Sequence, residues 1–121
     1  MKKAIAILLA LFALLVITPL LNAEPVLLYQ ASASGKPMLI FENNDVVYWY
    51  QNDMEFIVQQ DEGTINLYFE GQRFLSYSNF NEVYVTTTAY DYRGEVVSQT
   101  RAKAGTRAYH IARILLDHMT K

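Results

Sequence analysis

The 121-residue sequence contains no cysteine, and this absence excludes several kinds of site and linkage. Without thiols the chain has no disulfide bond, no thiolate ligand for a metal and no cysteine for lipid attachment. Its five glycines are scattered, so no glycine-rich loop is present to cradle a phosphate group. The two histidines, His110 and His118, are eight residues apart, which is not the i, i+4 spacing of a metal-binding helix. We therefore expect no metal and no cofactor.

Catalytic motifs are also lacking. His110 could form a nucleophilic triad in space with an acid and a strand serine, for which the candidates are Ser76, Ser78 and Ser98. No strand-turn motif of the kind that exposes a nucleophile surrounds any of these serines. We therefore predict no catalytic residues, and a small hydrolase is the weakest of the functional alternatives.

The first twenty-three residues have the pattern of a secretory signal peptide. Two lysines precede an apolar run over residues 4–21, Pro19 interrupts this run near its end, and Ala23 is a small residue at the expected cleavage site. This pattern predicts a mature protein that begins at Glu24 and is periplasmic or secreted. The alternative is an uncleaved membrane anchor, because the run is near the lower limit of what spans a bilayer.

The remaining residues, 24–121, have the length of one domain and contain regularly spaced turn residues. Asn, Asp and Gly tolerate the positive φ of tight hairpins, and they separate short β-prone runs along this part of the chain. The predicted strands are residues 25–31, 37–42, 45–51, 54–60, 64–69, 72–77, 83–92 and 95–100. No connection is long enough for a parallel crossover. We therefore predict a mainly β fold, an antiparallel meander of seven to eight strands rolled into a small barrel or sandwich.

The core is predicted from the pairing across three turns. If Asn52-Asp53 is a two-residue loop, Trp49 lies opposite Phe56 on one face of the sheet. Corresponding loops at Asn43-Asn44 and Glu70-Gly71 add residues of the neighbouring strands to the same face. The predicted core is Met38, Ile40, Val47, Trp49, Phe56, Val58, Leu67 and Phe74.

The reverse face of the first strands is apolar as well, whereas a solvated face would alternate to polar residues. Its members are Leu39, Phe41, Val46, Tyr48, Tyr50 and Ile57. The chain offers one cover, an amphipathic C-terminal helix over residues 104–120 with Thr106 as a candidate N-cap. Its predicted apolar side contains Ala108, Ile111, Ala112, Leu115 and Met119. The alternative cover is a partner protein or a second copy of the chain, which would form a homodimer.

Charge is distributed unevenly along the chain. Residues 24–92 contain ten acids and two bases, whereas residues 93–121 contain six bases and two acids. The net charge of the mature chain is negative, which argues against nucleic acid as a partner. The bases Arg101, Lys103, Arg107 and Arg113 either complement the acidic sheet or form a basic strip that meets an acidic partner or an anionic membrane.

Tyrosine and threonine alternate along the predicted strand 83–92. One face has Tyr84, Thr86, Thr88, Tyr90 and Tyr92, and the other has Val83, Val85, Thr87 and Ala89. If the valines face the core, the tyrosine-threonine face is exposed and offers rigid contact area with polar tips. The alternative is that these residues are simply good strand formers that pair across the sheet.

These patterns predict where a partner binds and what the protein does. The predicted contact residues are Tyr84, Thr86, Thr88, Tyr90 and Tyr92, with Arg107 and Arg113 as a competing basic site. We expect an exported, non-catalytic protein of a bacterial cell envelope that binds another protein, as an inhibitor or immunity-type factor does. The alternative is a structural or accessory subunit of a cell-envelope assembly for secretion or adhesion.

Overall fold

The computed structural model describes residues 25–33 and 35–120, which form eight strands and one helix. The strands are β1 (Val26–Ala33), β2 (Lys36–Asn43), β3 (Val46–Gln51), β4 (Met54–Asp61), β5 (Thr64–Phe69), β6 (Gln72–Ser78), β7 (Tyr84–Tyr90) and β8 (Val96–Lys103), followed by the helix α1 (Arg107–Met119). The predicted signal peptide, residues 1–23, lies outside the described residues. Within the part of the chain that is described, no helix has the length and hydropathy needed to cross a membrane.

The eight strands follow one another in chain order in a single sheet. Antiparallel pairing joins β1 to β2 and β2 to β3, and it joins successive strands from β5 to β8. The predicted antiparallel meander with one C-terminal helix is therefore confirmed. Two compact units divide the chain, the first ending at Ile57 and the second beginning at Val58.

The turns of the first unit are built from Asn and Asp residues with positive φ. Asn52 and Asp53 have φ of 53° and 62°, the geometry of a two-residue type I′ loop. The loop between β2 and β3 is Asn44-Asp45, because Asn43 pairs with Val46, so the predicted loop at Asn43-Asn44 is wrong by one residue. A shift of the loop by one residue moves the pairing by two, and each side chain therefore keeps its face.

One face of β2, β3 and β4 forms the core of the first unit. Ile40 lies opposite Trp49, and both side chains are buried, as are Met38, Val47 and Phe56. The indole N–H of Trp49 donates a hydrogen bond of 2.9 Å to the side-chain oxygen of Gln51. Burial of this face is as the sequence predicts.

The reverse face of the first unit is also apolar and buried. Leu39, Phe41 and Tyr50 form one cluster, with Tyr48 packed against it. The Phe41 ring is stacked on the rings of Tyr48 and Tyr50 at centroid distances of 5.3 and 5.6 Å. Burial raises the pKa of the Tyr50 phenol, and the carboxylate of Glu55 raises it further. The hydroxyl of Tyr50 therefore stays protonated within this cluster.

In the second unit, a β-bulge changes the predicted pairing of β5 with β6. Leu67 lies opposite Leu75 and Tyr68 opposite Arg73, which leaves Phe74 as the extra residue of β6. Leu67 and Val58 are buried as predicted, whereas Phe74 is 40% exposed. Phe74 is therefore not a core residue, because the bulge removes it from the position opposite Leu67.

The helix α1 packs against β5, β7 and β8. Thr106 is its N-cap: the backbone is extended there, and the hydroxyl oxygen accepts a hydrogen bond of 3.3 Å from the N–H of Tyr109. The buried residues of the helix are Ile111, Ala112 and Leu115, while Ala108 in the first turn is exposed. The helix packs on the sheet as predicted, but the strands that it contacts belong to the second unit, whereas the prediction placed it over the first strands. Ala108 is not part of its buried side.

Candidate functional site

Polar side chains from β6, β7 and β8 share one face of the second unit, which we call the polar face. Cross-strand pairing places Ser76 beside Thr88 and Ser78 beside Thr86. On the other side of β7, Thr88 lies opposite Gln99 and Thr86 opposite Arg101. The polar face consists of Arg73, Ser76, Ser78, Tyr84, Thr86, Thr88, Tyr90, Gln99, Arg101 and Lys103.

The helix covers the opposite face of the same strands. Ile65 and Val85 are completely buried, and both point away from the polar face because they alternate with Asn66 and Thr86. Tyr77 lies opposite Ile65, and burial raises the pKa of its phenol to about 12. The alternation of β7 therefore places Val85 in the core, as the sequence predicts, whereas Val83 precedes the strand and is 67% exposed.

The centre of the polar face is nevertheless buried. Thr86 is 8% exposed and Thr88 is 4% exposed, so the prediction that these two threonines contact solvent is wrong. The side-chain amide of Gln99 donates to the Thr88 hydroxyl at 3.1 Å, and the amide of Asn79 donates to the Thr86 hydroxyl at 3.3 Å. The longer side chains of Gln99 and Asn79 thus lie over the short threonines. The two threonines hold these side chains in place but do not themselves reach a partner.

Two arginine-tyrosine pairs flank the buried threonines. The guanidinium of Arg101 lies 4.4 Å from the ring centroid of Tyr84, and that of Arg73 lies 4.1 Å from the centroid of Tyr90. A hydrogen bond of 2.9 Å joins the hydroxyl groups of Tyr90 and Ser76. A guanidinium stacked on a ring keeps its N–H donors in its own plane, where they remain able to bind a carboxylate. Tyr84 and Tyr90 were predicted as contact residues, and in the structure each of them is stacked with an arginine.

Tyr92 does not belong to the polar face, because β7 ends at Tyr90. It is 74% exposed in the turn before β8, and the guanidinium of Arg93 lies 5.5 Å from its ring centroid. The carboxylate of Asp91 shapes this turn by accepting from the N–H groups of Arg93 and Glu95 at 2.9 and 3.0 Å. The turn ends the alternation from which the position of Tyr92 was predicted.

The proposed basic strip is divided between two elements. Arg101 and Lys103 are on β8, whereas Arg107 is exposed in the first turn of α1. Arg113 forms a half-exposed ion pair of 3.6 Å with Asp117, one turn further along the helix. Such an exposed pair contributes about 0.3 to 0.5 kcal/mol to stability. Arg113 is therefore already engaged with an acid of its own helix.

The strand β8 is longer than the sequence predicts. The predicted strand ended at residue 100, but β8 continues to Lys103, and this extension places Arg101 opposite Thr86. Seven of the eight β8 residues are exposed. The alternation of Gln99, Arg101 and Lys103 was the available signal, since residues two apart share a face of a strand.

The hypothetical triad and metal sites lack support from this arrangement. Ser76 is 3% exposed, bonded to Tyr90 and on the face opposite the helix that contains His110. Among residues 25–33 and 35–120, no group of three acid or histidine side chains is placed to hold a metal ion. What the polar face offers chemically is recognition through guanidinium donors and tyrosine rings.

No family model matches this chain, and neither the curated proteins nor the solved structures include one that is significantly similar to it. The polar face and β8 are therefore the features of the chain that indicate a function.

Proposed function

We propose that this chain is an exported, non-catalytic binding protein whose partner is another protein, as for an inhibitor or immunity-type factor. The observation that carries the proposal is the exposed strand β8 beside the stacked pair of Arg101 and Tyr84. Tyrosine and arginine are enriched among the residues that contribute most to protein-protein binding.

The packing of the polar face supports this function. Stacking fixes the guanidinium groups of Arg73 and Arg101 before a partner arrives, so less side-chain entropy is lost on binding. The hydroxyl bond between Tyr90 and Ser76 limits the rotation of the tyrosine in the same way. Preorganised side chains of this kind suit a binding surface.

Affinity capture from the periplasm tests the proposal. Tyr84→Ala and Arg101→Ala should each weaken capture of a soluble, stoichiometric partner by about 1 to 3 kcal/mol while the melting temperature changes little. Tyr90→Ala should weaken capture similarly. Tyr90→Phe keeps the ring but removes the hydroxyl that is hydrogen-bonded to Ser76, so it distinguishes the contribution of the ring from that of the hydroxyl. Arg107→Ala, exposed on α1, is the matched control and should capture as the wild type does. If no partner is captured, the proposed function is wrong. If Arg107→Ala alone loses the partner, the assignment of the binding surface to β8 and the polar face is wrong.

A structural or accessory subunit of a cell-envelope assembly is the second candidate. It is favoured by the exposed β8, since an edge strand is a ready template for pairing with another subunit. Capture of a membrane complex in place of one soluble protein would support this candidate.

Export and the rolling of the sheet are parts of the same proposal. Intact-mass analysis after fractionation should show a mature protein that begins at Glu24, whereas a full-length species in the inner membrane would contradict export. Of the two predicted forms we propose the sandwich, because a closed barrel would pair β8 and leave no edge strand. Buried residues on both faces of β2 and β3 support this form.

A further inference from the structure

The strand β8 has the exposure of an edge strand. It is the last strand in the sheet order, next to β7, and only Ala102 among its eight residues is half-buried. Val96 and Val97 are 57% and 61% exposed. An edge strand of this length presents unpaired backbone groups unless something adds to it.

The register shows which backbone groups point outward. The N–H of Ala104 donates to the carbonyl of Val83 at 2.7 Å, which makes these residues a hydrogen-bonded pair. Hydrogen-bonded and non-hydrogen-bonded pairs alternate along an antiparallel ladder. Lys103, Arg101 and Gln99 therefore occupy non-hydrogen-bonded positions opposite β7. The N–H and C=O groups of these three residues point away from β7.

One of these outward groups is already used within the chain. The carbonyl of Lys103 accepts from the N–H and the hydroxyl of Thr106 at 3.1 and 2.7 Å, in the turn that leads to α1. Gln99 and Arg101 precede this turn, and the turn does not use their outward backbone groups. A strand that adds to β8 would therefore pair with Gln99 and Arg101.

The side chains of this segment are basic. Arg101 and Lys103 share the polar face, and neither has a carboxylate partner among the described residues. Residues 93–121 contain six bases and two acids, so acids to neutralise these side chains are few in this part of the chain. Opposite charges on directly opposing residues stabilise the pairing of two strands.

We propose that β8 binds an extended, acidic segment of a partner protein, which adds to it as a further antiparallel strand. This inference rests on the proposed protein-binding function and names the chemistry of the partner. A residue of the segment exchanges both backbone hydrogen bonds with Arg101, and its side chain is a carboxylate. The backbone of Lys103 does not pair with the segment, but its long side chain, on the same face as Arg101, reaches a second carboxylate at the end of the segment.

A second copy of this chain fits β8 less well. In two-fold antiparallel pairing of two β8 strands, outward-pointing residues lie opposite one another, so Arg101 would lie opposite Gln99 or a second Arg101, and β8 contains no acid. Both bases would remain without a carboxylate. Charge complementarity therefore favours an acidic segment over a copy of β8.

Labelled octapeptides test the inference by fluorescence anisotropy. The probe alternates Thr and Glu, and the comparison peptides alternate Thr with Gln or Thr with Lys. The Thr-Glu peptide should bind, and Arg101→Glu should weaken its binding about tenfold, because attraction is replaced by repulsion. Arg107→Glu makes the same change of charge on the helix and should leave binding within about twofold of wild type, because Arg107 is exposed on α1 and outside the part of β8 that pairs with the peptide.

Amide hydrogen exchange distinguishes strand addition from general charge attraction. On addition of the Thr-Glu peptide, exchange of the Gln99 and Arg101 amides should slow, while the Thr100 amide, which faces β7, should change little. The inference is overturned by equal binding of the Thr-Gln peptide, by equal loss in Arg107→Glu, by unchanged exchange at Gln99 and Arg101, or by self-association through β8. If a protein is captured but the Thr-Glu peptide does not bind, this inference fails while the proposed function stands.

Discussion

Substitutions at Trp49 and Phe56 are the most direct test of whether one face of the first unit is buried. Their side chains are 6% and 5% exposed. We predict that Trp49→Ala or Phe56→Ala lowers the free energy of unfolding by about 3 to 5 kcal/mol, because each leaves a cavity. Urea titration measures this loss.

Phe74 provides the control for these two substitutions, because the bulge leaves it 40% exposed. Phe74→Ala should be clearly less destabilising than Phe56→Ala. An equal loss at the two sites would mean that Phe74 is packed in the core as the sequence first indicated. Emission of native Trp49 at the wavelength of a solvated indole would contradict the burial of this face.

Tyr77 predicts how stability changes at high pH. Burial raises the pKa of its phenol to about 12, from 10.0 in an exposed tyrosine. The folded protein therefore holds the proton between these values while the unfolded chain loses it. This contribution is complete below pH 10 and is lost as the pH rises to about 12, by on the order of 2 kcal/mol. Urea titrations across this range measure it.

Tyr77→Phe should make the decline of unfolding free energy above pH 10 shallower. The pKa of Tyr50 is raised as well, so part of the decline remains in this variant. Tyr92→Phe, at a 74% exposed position, is the control and should decline as the wild type does. A Tyr77→Phe variant with the wild-type slope would contradict the burial of this phenol.

The positions of Tyr84 and Tyr90 show what alternation can predict about single residues. Alternation assigns each side chain of β7 to a face, and those assignments are correct from Tyr84 to Tyr90. It does not show whether a short side chain is covered by a longer neighbour, and Thr88 is covered by Gln99. Burial on the polar face therefore depended on the register between β7 and β8, which the predicted meander left undefined.

The start of α1 depends on Thr106, whose hydroxyl oxygen accepts from the N–H of Tyr109. We predict that Thr106→Ala lowers the free energy of unfolding by about 1 kcal/mol, because an N–H of the first turn loses its partner. Thr106→Ser keeps the hydroxyl and should stay close to wild type. Thermal denaturation followed by circular dichroism measures both, and equal stability of all three proteins would show that the cap contributes nothing.

The strands were predictable where turn chemistry is unambiguous. Asn52-Asp53 is flanked by β-prone runs, and the loop is where the sequence places it. Asn43, Asn44 and Asp45 are three consecutive residues of the same chemistry, so composition alone does not select two of them. The bulge at Phe74 was not predictable, because one extra strand residue leaves no mark in composition.

Across the whole chain, the distribution of charge and the order of the strands both indicate the C-terminal residues 93–121 as the region that binds a partner. The excess of bases begins at Arg93, and β8 and α1 both lie beyond it. The charge asymmetry was visible in the sequence, but it did not distinguish a basic strip on the helix from one on a strand. The pairing of β8 with β7 makes that distinction by placing Arg101 beside the polar face.

The decisive measurement is the amide hydrogen-exchange footprint of the protein in complex with its captured partner. We predict that protection on binding is centred on residues 97–101, with smaller changes along β7, because β8 is the element that the partner contacts. Arg101→Glu should remove this footprint together with capture. Protection confined to residues 36–51 or to α1, with β8 exchanging as in the free protein, would contradict the assignment of binding to β8.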